Sequence, residues 1–252
     1  MWSPQLRRRE LLALVIAASL YGGHKMNLKE DTKTGIEQPI YSEKPIRIHV
    51  DPSVGDDSGP GTENKPLASF QEALNRLPLF IFHSTRIYLH DGEYVHDPSS
   101  IESRIHTVTF QKGLSGEGEP FKIVGNPSDP SKVVLSNTGY INLSIKGTVP
   151  YRTVVEGVQF EGILQNYNGT FSVQNCRFNG SVENVNGLDG YAGFSMLEDC
   201  WFGGSVKRAI YANQGHRIHV ENCSGSVDEV YATNAMGEVN YLGDNIISSN
   251  NG

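Results

Sequence analysis

Hydrophobic and polar residues alternate along four short segments in the second half of the chain, and the four segments resemble one another. They cover residues 155–164, 173–182, 196–206 and 220–227, with a weaker fifth copy at residues 242–247. Their equivalent positions are separated by 18, 24 and 23 residues and are Val158, Cys176, Cys200 and Cys223. Alternating segments that recur about every 22 residues, joined by Gly and Asn turns, are typical of a solenoid built from short β-strands.

The same alternation predicts which side chains fill the interior, because successive side chains of a strand point to opposite faces. The predicted inward positions are Val155, Val158, Phe160, Val173, Cys176, Phe178, Met196, Cys200, Phe202, Val220 and Cys223. The predicted outward positions form two rows, which are Gln159, Arg177 and Trp201, and Ser172, Ser195 and His219. The outward rows are where we expect a binding surface.

Each repeated segment contains a position where two short strands must be joined by a tight turn. A turn of this kind needs a left-handed backbone conformation or a side chain that bonds its own backbone, and Gly, Asn and Asp meet these needs best. The predicted turn positions are Gly157, Asn175, Asp199, Asn222 and Asp244. Asp199 is thereby assigned to a turn and not to catalysis.

Ahead of the repeats, residues 66–77 have the pattern of a short amphipathic helix. One face of this helix carries Leu67, Phe70, Leu74 and Leu77. Ser69 and Glu72 are three residues apart and form a capping box, which specifies the first turn. The preceding residues 51–65 are rich in Asp, Gly, Pro and Ser, so we expect a loop there.

Strands are predicted on both sides of this helix. Residues 46–50 alternate strictly and predict a strand, and residues 85–95 predict a strand, an Asp-Gly turn and a return strand. Less regular strands with longer connections are predicted at residues 106–110, 121–124, 133–135 and 141–145.

The N-terminal segment differs in character from the rest of the chain. Three arginines at positions 7–9 precede the apolar stretch 11–20, an order typical of an export signal, and the string Arg-Arg-Glu-Leu-Leu resembles a twin-arginine signal. A docking helix is the alternative for residues 1–23. The stretch is too short for a transmembrane helix, which needs about 20 apolar residues. Residues 24–45 are polar and predict a linker or arm, followed by one folded domain over residues 46–252.

Three segments before the repeats together resemble a known cap. They are the loop at residues 55–62, the helix Pro-Leu-Ala-Ser-Phe-Gln-Glu-Ala-Leu at residues 66–74 and the strand at residues 87–94. It is the N-terminal cap of the pectate-lyase-like right-handed parallel β-helix superfamily, and the repeats extend the resemblance to most of the remaining chain. The resemblance implies an all-β fold, a single-stranded right-handed parallel β-helix with a short N-terminal capping helix and an N-terminal arm. It implies little about function, because enzymes, adhesins and viral tail spikes share this fold.

Charge and cysteine content narrow the choice of partners. With 21 Lys and Arg against 28 Asp and Glu, the net charge is −7, so we expect no nucleic-acid partner. The three cysteines occupy equivalent inward positions, which places neighbours about 4.8 Å apart in adjacent strands. A metal or redox site is one interpretation, but the chain has no C-x-x-C motif, and a row of small core side chains is favoured.

Catalytic groups are sparse. The resemblance implies that a lyase would use Ca²⁺ held by several Asp together with an Arg or Lys base, and that a hydrolase would use a set of carboxylates. Asp56 and Asp57 lie in the cap loop. Glu156, Glu198 and Glu221 precede the turn positions and predict a solvated edge, with a weak Ca²⁺ row as the alternative. We therefore expect no cofactor and favour a protein without catalytic activity.

The candidate binding residues are Trp201, Arg177 and His219, all predicted to point outward. An aromatic side chain on a flat repetitive wall suits a subunit interface or the binding of a glycan or sugar. The alternative for Trp201 is a position covered by a neighbouring loop.

These observations predict a non-enzymatic structural or attachment protein of a virion surface or tail, similar to a fibre or spike, that binds host surface glycans. The resemblance implies a homotrimer, and residues 1–45 are expected to contact other structural proteins. The absence of an amphipathic capping helix after the last repeat also favours a larger assembly. The competing hypothesis is an exported polysaccharide lyase or glycoside hydrolase, so the expected location is a virion surface or the extracellular space.

Overall fold

The computed structural model describes residues 42, 44–78, 80–81, 83–96, 107–112, 121–137, 141–147, 152–167, 170–180, 185–191, 193–204, 206–234 and 236–249. The chain divides into two units, Met1–Glu37 and Gln38–Gly252, and all described residues belong to the second. The predicted export signal or docking helix at residues 1–23 and most of the predicted arm at residues 24–45 lie outside the described residues.

The described residues are mostly β-strand and form three parallel sheets. Sheet 1 consists, in spatial order, of β1 (Ile46–Val50), β3 (Thr85–Leu89), β6 (Phe121–Val124), β9 (Arg152–Glu156), β12 (Thr170–Gln174), β15 (Phe194–Glu198), β18 (Arg217–Glu221) and β21 (Glu238–Leu242). Sheet 2 consists of β4 (Gly92–His96), β7 (Val133–Asn137), β10 (Gln159–Phe160), β13 (Arg177–Phe178), β16 (Trp201–Phe202), β19 (Ser224–Val227) and β22 (Ile246–Ser249). Sheet 3 consists of β2 (Phe80–Ile81), β5 (Thr107–Lys112), β8 (Ile141–Gly147), β11 (Ile163–Tyr167), β14 (Val185–Tyr191), β17 (Val206–Asn213) and β20 (Glu229–Thr233).

The chain visits the sheets in a fixed order. From β3 onward it passes through sheets 1, 2 and 3 in turn, and from β2 onward each strand pairs in parallel with the strand three further along. We call three successive strands, one from each sheet, a repeat. The predicted all-β class and the repetition are confirmed as parallel sheets with this recurrent order.

One predicted hairpin is wrong. The segment at residues 85–95 forms β3 and β4, but the two strands belong to different sheets and pair with other repeats. The Asp91-Gly92 sequence therefore marks a corner between sheets. An Asp-Gly turn reverses a chain only when the flanking strands pair with each other, and here both strands find parallel partners in the next repeat.

The turn positions between sheets 1 and 2 have the predicted backbone. Positive φ angles of 70°, 49°, 53° and 53° occur at Gly157, Asn175, Asp199 and Asn222. In the last repeat the positive φ of 67° belongs to Gly243 and not to the predicted Asp244. That corner contains residues 243–245, one more than the four before it, which moves the left-handed residue by one position.

The interior rows follow the prediction except in one strand. Val173, Leu197 and Val220 are in register and fully buried, so Leu197 takes the inward position that was predicted for Met196. Ser195 consequently points inward between Phe171 and Ile218, and Met196 replaces it in the outward row with Ser172 and His219. The facing of a strand is fixed by its distance from the turn, and Leu197, like Val173, lies three residues before a buried cysteine.

Aromatic side chains stack through the core behind sheet 2. Phe160, Phe178 and Phe202 are fully buried, and their ring centroids are 5.3 Å and 4.7 Å apart with nearly parallel planes. Burial of one such side chain contributes about 1.5–3 kcal/mol. The row therefore ties three consecutive repeats together.

The predicted capping helix is present but shorter than expected. Helix α1 (Phe70–Asn75) begins after Ser69, whose hydroxyl accepts a hydrogen bond from the Glu72 amide at 3.1 Å. Asp57 accepts hydrogen bonds from the Ala68 and Ser69 amides at 2.9 Å and 2.8 Å, so the residues ahead of the helix are held by the cap loop. The predicted apolar face is buried, with Leu67, Phe70, Leu74 and Leu77 at most 9% exposed.

Candidate functional site

One corner between sheets 1 and 2 is much longer than the others. Two residues connect β9 to β10, and the three corners that follow also contain two residues each. Between β6 and β7 the chain inserts eight residues, 125–132. In repeat proteins, insertions of this kind collect on one face and often form the binding surface.

The long corner forms one wall of an open cleft of about 530 Å³. His49 comes from β1, and Asp51 and Glu63 come from the loop at residues 51–65 that follows it. Tyr88 comes from β3, and His90 and Asp91 come from the corner between β3 and β4. The remaining wall includes Asn126 and Pro127 from the long corner. Three segments that are far apart in the sequence thus meet at one edge of sheet 1.

The long corner is held against the next repeat by backbone contacts. The amides of Gly125 and Asn126 each donate a 2.8 Å hydrogen bond, to the carbonyls of Glu156 and Gly157 respectively. Gly157 has no room for a side chain, because a Cβ there would lie 2.4 Å from the Pro127 nitrogen. The rigid sheet therefore fixes the position of this wall.

A stacked pair of rings forms the floor of the cleft. His49 and Tyr88 are neighbours in register on the outer face of sheet 1, with ring centroids 4.7 Å apart and an interplanar angle of 19°. His90 lies beside them, with 3.4 Å between its Nε2 and His49 Nδ1. The buried Tyr94 hydroxyl donates to the His90 and Val50 carbonyls at 2.8 Å and 3.0 Å, which anchors this corner.

A carboxylate and a carboxamide stand next to the rings. Asn126 Nδ2 donates to Asp91 Oδ1 at 2.9 Å, and Asn126 Oδ1 accepts from the Asp129 amide at 3.1 Å. Lys132 Nζ lies 4.0 Å from Asp91 Oδ2. These bonds orient the planar polar groups of Asp91 and Asn126 within the cleft.

The electrostatic character of the cleft is set by its local hydrogen bonds. The Ser53 hydroxyl and amide donate to Asp51 Oδ1 at 2.6 Å and 2.9 Å, and the hydroxyl bond is the main cause of the lowered pKa of Asp51. Partial burial, followed by the neighbouring His90, lowers the pKa of His49. At neutral pH the cleft therefore combines an ionised Asp51 with an uncharged His49, and His90 Nδ1 lies 3.7 Å from Asp51 Oδ2.

This arrangement is chemically suited to a saccharide. The edges and outer faces of the stacked rings offer apolar contact to a sugar, and nearby carboxylate and carboxamide groups can bind its hydroxyls. Sequence reasoning missed the site, although two signals were present: the outward position of His49 in an alternating strand, and the unusual length of residues 125–132. In the part of the chain that the structure describes, no three His, Cys, Asp or Glu side chains are placed to hold a metal ion.

Of the three residues predicted from the sequence, two lie together. Arg177 and Trp201 are neighbours in register on sheet 2, and the guanidinium carbon lies 4.1 Å from the centroid of the indole ring. The indole also lies against Gly203, where a Cβ would approach Trp201 Cη2 to 2.2 Å. Trp201 is therefore part-buried by its own sheet. The Arg177 guanidinium covers the side of the indole ring on which a ligand would otherwise stack.

His219 is separate from this pair. It lies on sheet 1, in register with Met196 and Asn240, and packs edge-on against Phe194 at a centroid distance of 4.8 Å. The structure thus distributes the predicted binding residues over two sheets and does not join them in one site.

The two other interpretations that the sequence left open concern Glu and Cys rows. Gln174 stands between Glu156 and Glu198 in register and donates to Glu198 Oε2 at 2.8 Å, so the carboxylates do not form a continuous row. Cys176 and Cys200 are buried, and burial raises the pKa of the Cys176 thiol to about 12 and that of Cys200 well above its ordinary value. Neutral buried thiols match the predicted core row.

A buried polar group lies elsewhere in the core. The Ser195 hydroxyl is 2.9 Å from His216 Nε2 and accepts a hydrogen bond from Asn166 Nδ2 at 2.9 Å. All three residues have no solvent exposure, and the His216 ring packs on Gly190. A Ser–His pair without access to solvent satisfies polar groups inside the core and offers no route for a substrate.

The sequence matches no family model, and it matches no curated protein and no solved structure. Among the described residues, no helix has the length and apolar character needed to cross a membrane.

Proposed function

We propose that this chain is a right-handed parallel β-helix that acts as a non-enzymatic attachment protein and binds surface glycans through the cleft at the edge of sheet 1. The fold part of the proposal is supported by the recurrent three-sheet order and by the likeness of residues 55–94 to the cap of the pectate-lyase-like superfamily. Attachment proteins of virion surfaces and tails share this fold, and we place the chain in that class.

The observation that carries the proposal is the His49–Tyr88 ring pair in the cleft. Both rings project from paired strands of a sheet, so their geometry is determined before a ligand arrives. The long corner adds Asn126, and the corner of the preceding repeat adds Asp91, at hydrogen-bonding distance from each other. A preformed site of this kind lowers the entropic cost of binding a flexible saccharide.

Assembly into a homo-oligomer, a trimer in our proposal, is supported by exposed apolar side chains in and beside β20, β21 and β22. The large apolar side chains exposed there are Tyr231, Met236, Tyr241, Leu242 and Ile246, between 40% and 91% exposed. Apolar side chains at the end of stacked sheets favour contacts with other protein surface. Further contacts through residues 1–45 belong to the same proposal, and the mass in solution of the full chain tests it.

An exported polysaccharide lyase or hydrolase is the second candidate. It is favoured by three side chains that lie in a row in the cleft. The Asp51 carboxylate lies beside His90, and His90 lies beside His49. Such an arrangement resembles the orientation of a general base by a carboxylate. Product formation from acidic and neutral polysaccharides, with and without Ca²⁺, that is lost in His49→Gln would establish this function in place of attachment.

The test of glycan binding compares the full chain with two tyrosine variants. Calorimetric titration with mixed oligosaccharides is expected to show binding by the natural chain and at least tenfold weaker binding by Tyr88→Ala. Tyr211→Ala is the matched control, because Tyr211 lies on sheet 3 and contacts Arg208. Equal affinity of the natural chain and Tyr88→Ala would exclude the cleft as the binding site.

A further inference from the structure

We infer that the cleft selects saccharides without acidic groups, with the highest affinity for amine-bearing sugars, and rejects uronates. The inference rests on the proposed function, because it names the class of glycan that the same site takes. It is derived from the charges around the ring pair and from the hydrogen bonds that fix them.

Three carboxylates line the cleft, and they belong to Asp51, Glu63 and Asp91. Among the described lining residues there is no Lys or Arg. Lys132 Nζ lies 4.0 Å from Asp91 Oδ2 and its side chain is more than half exposed, so water screens much of its effect. The cleft therefore presents an excess of negative charge to a ligand.

Local hydrogen bonds lower the pKa of one of these carboxylates, Asp51, and a hydrogen bond fixes the orientation of Asp91. Asp51 Oδ1 accepts from the Ser53 hydroxyl, the Ser53 amide and the Val54 amide at 2.6, 2.9 and 3.3 Å. Asp91 accepts from Asn126 at 2.9 Å. Because the donors around Asp51 stabilise its charged form, that carboxylate stays ionised when an anion approaches.

The chemistry of the ligand follows from these groups. The carboxylate group of a uronate would face Asp51, Glu63 or Asp91 without a lining Lys or Arg to balance it, whereas arginine forks and lysines are the usual partners of bound carboxylates. An ammonium or hydroxyl group on a sugar donates to the same carboxylates. The π face of Tyr88 attracts a cation as well, so the ring and the carboxylates favour the same saccharides when ligands of equal shape compete.

Three oligosaccharides of equal length test this selectivity: a glucosamine oligomer, a neutral glucose oligomer and a galacturonate oligomer, titrated into the full chain at pH 6.0, where the amines carry charge and the uronates are ionised. We expect the glucosamine oligomer to bind at least threefold more tightly than the glucose oligomer, and the galacturonate oligomer at least tenfold more weakly than glucose. Glu63→Gln removes one of the three carboxylate charges and should reduce the glucosamine-to-glucose affinity ratio at least twofold. Glu238→Gln, which removes an exposed carboxylate at the far end of sheet 1, is the matched control.

The outcomes separate the two levels of the hypothesis. Galacturonate binding as tight as glucose binding, lost in Tyr88→Ala, would overturn the selectivity and leave the glycan site standing. A glucosamine preference that persists in Glu63→Gln and falls in Glu238→Gln would also overturn it. Absence of binding by all three oligomers would remove the proposed function together with the inference.

Discussion

The guanidinium of Arg177 lies over the indole of Trp201, with 4.1 Å between its central carbon and the ring centroid. The two residues belong to consecutive repeats and are paired in register on sheet 2. Among the described residues Arg177 Nε is buried without a hydrogen-bond partner, and the guanidinium charge interacts with the indole face and with the Asp129 carboxylate. The pair is therefore a stabilising contact between repeats.

Removal of this pair should lower stability by more than a surface substitution would. We expect Trp201→Ala to reduce the free energy of unfolding by about 1–3 kcal/mol, because a part-buried ring and a cation–π contact are lost. A double-mutant cycle with Arg177→Ala, followed by urea denaturation, should give a coupling energy of about 0.5–2 kcal/mol. Strictly additive effects would show that the two side chains do not interact in solution.

The stacked phenylalanines predict a graded response to loss of volume. Phe178 has a ring on each side, at 5.3 Å and 4.7 Å, so Phe178→Ala should cost about 3–5 kcal/mol of unfolding free energy. Phe178→Leu retains most of the volume, and we expect it to cost clearly less. Equal losses for the two variants in urea denaturation would contradict a row held together by packing.

The long corner should depend on the glycine behind it. Gly157 has a φ of 70°, and a Cβ there would lie 2.4 Å from the Pro127 nitrogen, so Gly157→Ala should displace residues 125–132 and weaken saccharide binding at least tenfold. Gly215→Ala is the control. Gly215 has a φ of 76°, and a Cβ added there would have no atom within 4 Å other than those of the adjacent residues. The control should lose about 1–2 kcal/mol of stability and keep its affinity. The prediction fails if both variants bind alike.

Stability should fall as the medium becomes acidic through the pH range where histidine titrates. The pKa of His49 in the folded chain lies below its ordinary value of 6.5, chiefly because of burial. As pH falls through 6.5, the unfolded chain therefore takes up a proton before the folded chain does, and the contribution of the neutral ring to stability is lost. Charged groups facing His49 are His90, Glu63 and Arg47.

Urea denaturation at pH 7.5, 6.5 and 5.5 measures this effect. His49→Asn, which has no titratable group, should lose less stability than the natural chain between pH 7.5 and 5.5. His219→Asn, at the other end of sheet 1, is the control for histidine removal in general. A pH dependence left unchanged by His49→Asn would show that other groups are responsible.

Much of the repeat could be predicted because its information is local. The inward row of Cys176, Cys200 and Cys223 and the left-handed turns before them follow from alternation and from the tolerance of Gly, Asn and Asp for positive φ. The error at Met196 arose because two apolar residues stand side by side there, and hydrophobicity does not say which of them faces inward. The number of residues between each of them and Cys200 does identify the inward one, which is Leu197.

The cleft could not be predicted in the same way because no local pattern encodes it. Successive members of the set His49, Tyr88 and Asn126 are 39 and 38 residues apart in the sequence, and their proximity follows from parallel register between repeats. The predicted hairpin at residues 85–95 concealed this relationship. Once β3 and β4 are assigned to different sheets, the ends of β1, β3 and β6 fall at one edge.

The uneven corners between sheets 1 and 2 have a consequence for how such a protein can diversify. The strands on either side of residues 125–132 keep their register with the neighbouring repeats although this connection is four times as long as the usual one. One wall of the cleft can therefore vary without a change in the pairing of the strands. Exchange of this eight-residue segment would reshape that wall while the stacked sheets keep their register.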